Sequence, residues 1–349
     1  MAGGLLCLLG SLQIGWSQAP EEDPEAQFFE AAVLRDLFSK YHTGLPKTMP
    51  GAEGSTPPMV ELGRRLFHEK RLSADGTVSC NSCHALDEGG AGADGRPVPV
   101  GVHGHLGRRN APTVFNAGFQ IAQFWDGRAA TLEEQARHPL LNEIEMGMPD
   151  EASVVQVLQE EADYKTAFRE AFPDQSDPLV FENVLKAIAA FERTLISRSR
   201  FDDFIEGDDE ALTLPERRGA YRFWSLGCRG CHTGVFFGGQ SFARIGNVTA
   251  YGNLEDRGRF EVTGNPDDEM VFKVPSLSNV AATAPYFHDG RIEDLPAAVR
   301  EMFRLQVGID APDQIQADLV EFLGALTDKR LELDEGNTGR PGERAGERR

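Results

Sequence analysis

Two copies of the pattern C-x-x-C-H constrain this chain more than any other feature of its sequence. The first copy spans residues 80–84 and the second spans residues 228–232. Two thiols three positions apart can each bond a vinyl group on one porphyrin edge, while the imidazole that follows binds the iron. We therefore predict two covalently bound haem c groups, attached at Cys80, Cys83, Cys228 and Cys231, with His84 and His232 as iron ligands.

Other uses of paired cysteines fit this sequence less well. The chain has 5 cysteines, and an odd number argues against a pure disulfide framework. A zinc site would hold its cysteine pairs closer together. A redox dithiol would not need a histidine after both pairs.

A longer repeat surrounds the two motifs. Residues 110–132 align with residues 273–295 without a gap, and both segments carry the pattern Phe-x-Asp-Gly-Arg at the same place. Such self-similarity is typical of a duplicated unit. We predict two cytochrome-c-like haem domains related by internal duplication.

The remaining pattern of the chain is helical. Apolar residues recur at helical spacing, for example in residues 28–37 and 184–195, and no run alternates strictly enough to predict a strand. This periodicity predicts a mostly α fold. The acidic, proline-containing stretch at residues 207–216 interrupts it. We place the domain boundary there, with an N-terminal haem domain at residues 20–205 and a C-terminal haem domain at residues 206–333.

The two ends of the chain differ from the rest. Residues 1–19 combine an apolar stretch with Ser-Gln-Ala at their end, which matches the small-x-small rule for signal-peptide cleavage. Residues 334–349 contain mainly glycine, proline and charged residues, which predicts a disordered tail. Because haem c is assembled outside the cytoplasmic membrane, we predict a soluble periplasmic protein. A soluble domain on a retained anchor is the alternative.

The charge of the chain excludes one class of partner. Asp and Glu number 55 against 35 Lys and Arg, so the formal net charge is −20. Such a surface repels phosphate backbones, and we expect no nucleic-acid partner. The same charge favours a protein partner with a positive or apolar docking face.

Four further motifs occur in a fixed order: Asn-Ala-Pro-Thr from residue 110, Phe-Trp-Asp-Gly-Arg-Ala from 124, Glu-Met-Gly from 145, and Thr-Ala-Pro-Tyr-Phe-His-Asp-Gly from 283. In these motifs the chain resembles the bacterial di-haem cytochrome c peroxidases, with MauG-like oxidases as close relatives. The resemblance covers residues from about 27 to 328. It implies reduction of hydrogen peroxide at the N-terminal haem, with electrons taken in at the C-terminal haem from a small cytochrome c or cupredoxin. It also implies a homodimer.

The resemblance implies roles for individual residues. Glu145 corresponds to the family's distal acid, which exchanges a proton with peroxide, and Gln135 corresponds to the distal amide. Trp125 corresponds to the tryptophan between the haems. Met302 stands where peroxidases carry the sixth iron ligand of the second haem and where MauG-like oxidases carry tyrosine.

A loop histidine binds the catalytic iron in the resting oxidised state of some members. Residues 100–110 contain His103 and His105, but Val102 stands at the position of that ligand. His103 is displaced by one residue and is our candidate for a resting-state iron ligand. Loop histidines that face solvent are the alternative.

The resemblance also implies a calcium ion between the domains. Its ligands correspond to the side-chain oxygen of Asn110 and the backbone oxygens of Thr283 and Pro285. Ligation by oxygen alone suits a hard cation. Because Asn110 belongs to one repeat and the other two residues to the second, bound calcium would couple the domains.

Three functions are open at this point: a peroxidase, a MauG-like oxidase of a protein or organic substrate, and a non-enzymatic di-haem electron carrier. Glu145, Gln135 and Trp125 argue against the carrier, because electron transfer alone needs no distal acid. Met302 argues against the MauG-like oxidase. These residues favour the peroxidase.

Overall fold

The structure is a computed structural model that describes residues 24–87 and 90–332. The signal peptide predicted at residues 1–19 and the tail predicted at residues 334–349 lie outside the described residues. Helices dominate the described part of the chain, which confirms the prediction of a mostly α fold. Within that part, no helix combines the length and the apolar character needed to cross a bilayer.

The helices are short and are joined by long loops and single 3-10 turns. In chain order the α-helices are α1 (Ala31–Ser39), α2 (Pro57–Phe67), α3 (Cys80–Cys83), α4 (Leu132–Leu141), α5 (Glu151–Gln159), α6 (Ala162–Ala171), α7 (Phe181–Glu192), α8 (Arg200–Ile205), α9 (Leu214–Ser225), α10 (Phe260–Thr263), α11 (Leu295–Met302), α12 (Asp313–Gly324) and α13 (Lys329–Glu332). A π-helical segment, Phe303–Val307, continues α11.

The described residues also form a small sheet that the sequence did not predict. Strand β1 (Phe242–Arg244) pairs antiparallel with strand β2 (Val271–Lys273), so that Phe242 lies opposite Lys273. A strand of this length is too short to show an alternating pattern. Tertiary packing therefore decides its conformation.

Two hydrophobic cores hold the helices together. The first core contains residues of α2, α4, α5, α6 and α7, and Cys80 packs against it. The second contains residues of α1, α8, α9, α11 and α12, and Cys228 packs against it. Each C-x-x-C-H motif therefore lies on its own core.

In each core, two helices cross at a glycine. A Cβ atom at Gly63 of α2 would lie 1.8 Å from the carbonyl oxygen of Ala187 in α7, and one at Gly219 of α9 would lie 1.8 Å from that of Asp318 in α12. Both positions therefore require glycine, because any side chain would force the two helices apart.

The aligned loops of the two repeats have similar backbones. Asn116 and Asn279 both adopt left-handed conformations, with φ of 61° and 64°. The backbone N–H of Asn116 donates to the carbonyl of Leu195, and that of Asn279 donates to the carbonyl of Leu326. Each asparagine thus fixes its loop to the chain that follows the last long helix of its core.

Candidate functional site

A large cavity among the described residues contains most of the predicted residues of the N-terminal haem site. Its volume is about 440 Å³, within the range of roughly 300–1,000 Å³ that is usual for small-molecule and cofactor sites. The predicted residues in its wall are Cys80, Cys83, His84, Asn110, Trp125, Gln135 and Glu145. Glu261, Val262 and Lys273 of the C-terminal half also contribute to the wall.

The proximal side of the cavity is built around His84. Its Nδ1 donates a hydrogen bond of 3.0 Å to the carbonyl of Pro112, with the carbonyl of Gly92 at 3.4 Å. Burial lowers the pKa of His84, which favours the neutral imidazole. A neutral imidazole held through Nδ1 presents Nε2 to a metal.

These residues fit a c-type haem. Cys80 and Cys83 are free thiols at the two ends of the one-turn helix α3. Ser79 and Ser82 form a capping box that fixes the start of this helix. The cavity thus offers two thiols, one oriented imidazole and a volume appropriate to a cofactor.

Glu145 also lies in the wall of this cavity. The Nδ2 of Asn142 donates a 2.9 Å hydrogen bond to its Oε1. Burial raises the pKa of Glu145, while the guanidinium of Arg128 and the hydrogen bond from Asn142 act in the opposite direction. Gly147, with φ of 69°, closes the turn that presents this carboxyl group. The environment favours a carboxyl group that can change its protonation state.

Trp125 lies where the two halves of the chain meet. Its backbone carbonyl accepts a 2.7 Å hydrogen bond from the N–H of Lys273. Its ring centroid is 6.4 Å from that of His288, the residue aligned with it in the second repeat. His288 is buried and stacks on Phe272.

The second haem motif has a similar proximal histidine. The Nδ1 of His232 donates a 3.1 Å hydrogen bond to the carbonyl of Phe237. Burial lowers the pKa of His232, as it does for His84. A small cavity of about 20 Å³ lies beside His232, and Met302 is not part of its wall. The structure therefore does not bring Met302 and His232 together in that cavity.

His103 lies outside the large cavity. Its side chain is 62% exposed, and its Nδ1 is 3.5 Å from a carboxylate oxygen of Asp75. Neither His103 nor His105 lines the cavity. Val102 packs into the first core, and its N–H donates to the carbonyl of Glu145. Because Val102 packs inward and fixes the register of the loop, the side chain of the neighbouring His103 points to solvent.

The proposed calcium ligands come from segments that meet. The N–H of Asn110 donates a 2.8 Å hydrogen bond to the carbonyl of His288, in the same loop as Thr283 and Pro285. The Nδ2 of Asn110 donates to the carbonyl of Arg96. This arrangement uses the donors of the Asn110 side chain and leaves its oxygen available to a cation.

The cavity wall also contains charged residues to which the sequence assigned no role, among them Arg128, Glu192 and Lys273. The guanidinium of Arg128 lies 3.4 Å from the ring centroid of Phe124 and bonds Asp126. Burial raises the pKa of Glu192 to about 8. Two of these residues could have been identified from the sequence, because Arg128 belongs to the Phe-Trp-Asp-Gly-Arg-Ala motif and Lys273 aligns with Asn110 in the repeat. No motif or repeat contains a signal for Glu192.

Comparison with known proteins gives consistent results. The family model described as di-haem cytochrome c peroxidase matches residues 57–210. Cytochrome c551 peroxidase of Pseudomonas aeruginosa is 40% identical over 342 residues, which cover 96% of this chain and 95% of that protein. Cytochrome c peroxidase Ccp of Escherichia coli is 45% identical over 272 residues, which cover 76% of this chain but only 57% of that protein.

A solved structure has a similar fold. The crystal structure of a MauG-like protein associated with microbial copper homeostasis matches with a TM-score of 0.75 and 34% identity. The match covers 82% of this chain and 94% of the other.

Proposed function

Because this chain belongs to the di-haem cytochrome c peroxidase family, we propose that it reduces hydrogen peroxide to water. Electrons come from a small periplasmic cytochrome c or cupredoxin, enter at the His232 haem and pass to the His84 haem. Each peroxide consumes two electrons and two protons and yields two water molecules. The observation that carries this proposal is that Glu145, Gln135 and His84 all line the same cavity.

Proton transfer is the task of Glu145. Cys80, Cys83 and His84 would hold the haem, whose iron would supply peroxide binding and electron transfer. The Glu145 carboxylate accepts a proton from the incoming peroxide and returns it to the departing oxygen, which favours heterolytic cleavage of the O–O bond. Gln135, in the same cavity wall, holds the peroxide by hydrogen bonds through its side-chain amide.

Trp125 relays electrons between the two haem sites. An indole is oxidisable, and this one lies against residues of both halves of the chain. His288 occupies the aligned place in the second repeat, so the two copies of the motif differ at this position. That difference supports separate roles for the two halves, with catalysis at the N-terminal haem.

Met302 is the proposed sixth ligand of the His232 haem. A thioether ligand stabilises ferrous iron and raises the reduction potential, which suits a haem that receives electrons from a donor. Met302 ends α11 directly before the π-helical segment Phe303–Val307. Such segments are frequent at functional sites, which supports this assignment.

The two haem domains, at residues 20–205 and 206–333, derive from one duplicated unit. Support comes from the two glycine crossings and from the matching left-handed asparagines, Asn116 and Asn279. A calcium ion bound by Asn110, Thr283 and Pro285 joins the two domains. The contact between Asn110 and the loop of His288 supports this site.

The protein acts in the periplasm as a homodimer. The pattern of residues 1–19 and the assembly of haem c outside the cytoplasm support the location. The dimer follows from the family resemblance. The net charge of −20 favours a donor whose docking face is positive or apolar.

A MauG-like oxidase is the second candidate function, because the solved structure of similar fold bears that name. Met302 favours the peroxidase, since the MauG-like enzymes carry tyrosine at this position. The two functions differ in what consumes the oxidising equivalents of peroxide. A peroxidase passes them to a reduced donor protein, whereas a MauG-like oxidase uses them to modify another substrate.

Steady-state kinetics of the purified two-haem protein test the proposal. We expect peroxide-dependent oxidation of a reduced small cytochrome c or cupredoxin, at a ratio of two electrons to each peroxide. Intact mass should show two covalent haems. Donor oxidation that does not depend on peroxide would instead indicate an electron carrier, and a mass without two haems would remove the basis of the proposal.

A further inference from the structure

Lys273 is a buried cation in the wall of the large cavity. It ends strand β2, and its side chain reaches the wall that also contains Trp125 and Asp126. Only 6% of the residue is exposed. Its backbone N–H donates to the carbonyl of Trp125, which fixes the place where the side chain begins.

The other cations of this wall are already neutralised. Each arginine forms a salt bridge with a carboxylate of the protein. Arg108 pairs with Glu261, Arg109 pairs with Asp126 and Asp256, and Arg128 pairs with Asp126. Lys273 instead donates to the neutral side-chain oxygen of Gln120. Among the described residues, no carboxylate forms an ion pair with Lys273; Asp126 acts on it only at longer range.

This environment disfavours an ammonium group in the absence of a ligand. Burial lowers the pKa of Lys273 to about 8, because the charged form loses its hydration. A buried charge is normally compensated by a partner of opposite sign. Here the protein does not provide that partner at contact distance, so an anion in the cavity would complete the site.

The proposed occupant of the cavity carries such anions. A c-type haem has its propionates on the edge opposite the vinyl groups that bond the cysteines. Cys80 packs against the first core, whereas Lys273 enters the cavity from the small sheet of the C-terminal half. We propose that Lys273 is the counterion of a propionate of the haem attached at Cys80 and Cys83.

This pairing gives Lys273 a function in electron transfer. The ammonium keeps the propionate ionised, and its positive charge disfavours the ferric state relative to the ferrous state. Lys273 therefore raises the reduction potential of the His84 haem. Because β2 belongs to the C-terminal half, the same ion pair holds the N-terminal haem against the half that supplies its electrons.

The inference rests on the haem site of the proposed function but not on peroxidase activity. The test uses the two-haem protein and the variants Lys273→Met and Lys273→Arg. Lys165→Met, which removes an exposed cation on α6, is the matched control. Spectroelectrochemistry measures the potential of each haem as a function of pH, and resonance Raman spectroscopy records the propionate-bending bands.

We expect Lys273→Met to lower the potential of the His84 haem, shift one of its propionate bands and make its potential more dependent on pH. Lys273→Arg should retain most of the wild-type potential, and Lys165→Met should retain all of it. If Lys273→Met does not accumulate, Lys273→Gln serves in its place. In the wild type, the propionate band should also remain that of an ionised, ion-paired group when the pH is lowered moderately.

Two results would overturn the assignment while leaving the haem site intact. One is an unchanged potential of the His84 haem in a Lys273→Met or Lys273→Gln protein that contains both haems. The other is a shift confined to the His232 haem. A protein without haem at Cys80 and Cys83 would overturn both this inference and the proposed function.

Discussion

The indole Nε1 of Trp125 donates a 2.9 Å hydrogen bond to the backbone carbonyl of Asn110. Asn110 in turn donates its own N–H to the carbonyl of His288 in the second repeat. The proposed relay residue is therefore held by the residue whose side chain is the proposed calcium ligand. An ion at that site would stabilise the position of the indole as well as the contact between the two halves.

Met302→Leu tests the proposed sixth ligand of the second haem. Leucine has a similar volume but no sulfur, so the substitution should remove the low-spin His/Met signature of the His232 haem and lower its potential. Optical and magnetic circular dichroism spectra measure both changes. Met270→Leu is a suitable control, because Met270 is a buried methionine of the same half without a proposed ligand role. An unchanged spectrum in Met302→Leu would identify Met302 as a packing residue.

Gly219→Ala tests the helix crossing of the second core. Because the added Cβ would lie 1.8 Å from the carbonyl oxygen of Asp318, α9 and α12 must separate. We expect a loss of about 1–3 kcal/mol or more in the free energy of unfolding, measured by denaturant titration. Gly324→Ala in α12 meets no atom within 4 Å and should be neutral or slightly stabilising. Equal stability of the two variants would contradict the crossing.

Local sequence predicts the features that depend on covalent chemistry. The spacing within each C-x-x-C-H motif is sufficient to predict the attachment thiols and the proximal histidines, because these residues act within one turn of chain. The helical periodicity likewise predicts the mostly α fold. The role of Glu145 could be predicted only through the resemblance of its motif to the di-haem peroxidases. The residue type alone gives no such prediction, because most carboxyl groups lie in solvent.

Features that depend on distant contacts could not be predicted in the same way. The direction of His103 is set by the packing of Val102 and by Asp75, and none of these contacts can be read from the loop sequence. Lys273 reaches the cavity through a sheet that is too short to show a pattern. Its lack of a carboxylate partner is apparent only once the neighbouring arginines are placed.

The position of His103 predicts how the oxidised enzyme behaves. With no loop histidine in the cavity wall, the His84 haem should be high-spin and should react with peroxide without prior reduction. Electron paramagnetic resonance and stopped-flow mixing of the fully oxidised protein measure these properties. His103→Gly and the control His105→Gly should both behave like the wild type. A low-spin bis-histidine signal that disappears only in His103→Gly would show that the loop rearranges to bind the iron.

Glu145→Gln separates proton transfer from haem binding. The amide preserves the size of the side chain but cannot act as a base, so peroxide turnover should fall by roughly 10²–10⁴-fold. Haem content should not change. Glu143→Gln is the matched control, because Glu143 is exposed, lies two positions away and does not line the cavity. A comparable loss in both variants would mean that Glu145 has no special part in the reaction.

Arg128→Gln tests the electrostatic control of Glu145 through the pH profile. Burial raises the pKa of Glu145, and the guanidinium of Arg128 partly opposes that effect. Only the carboxylate form can accept a proton from peroxide, so kcat/KM should fall as the pH drops through this pKa. Without Arg128 the pKa rises further, and the acidic limb of the profile should move to higher pH while the plateau changes less. Arg108→Gln is the control, because Arg108 is another cation of the same wall but is not among the groups that shift the pKa of Glu145. The acidic limb of the Arg108→Gln profile should stay in place. An unmoved limb in Arg128→Gln would show that another group controls the protonation step.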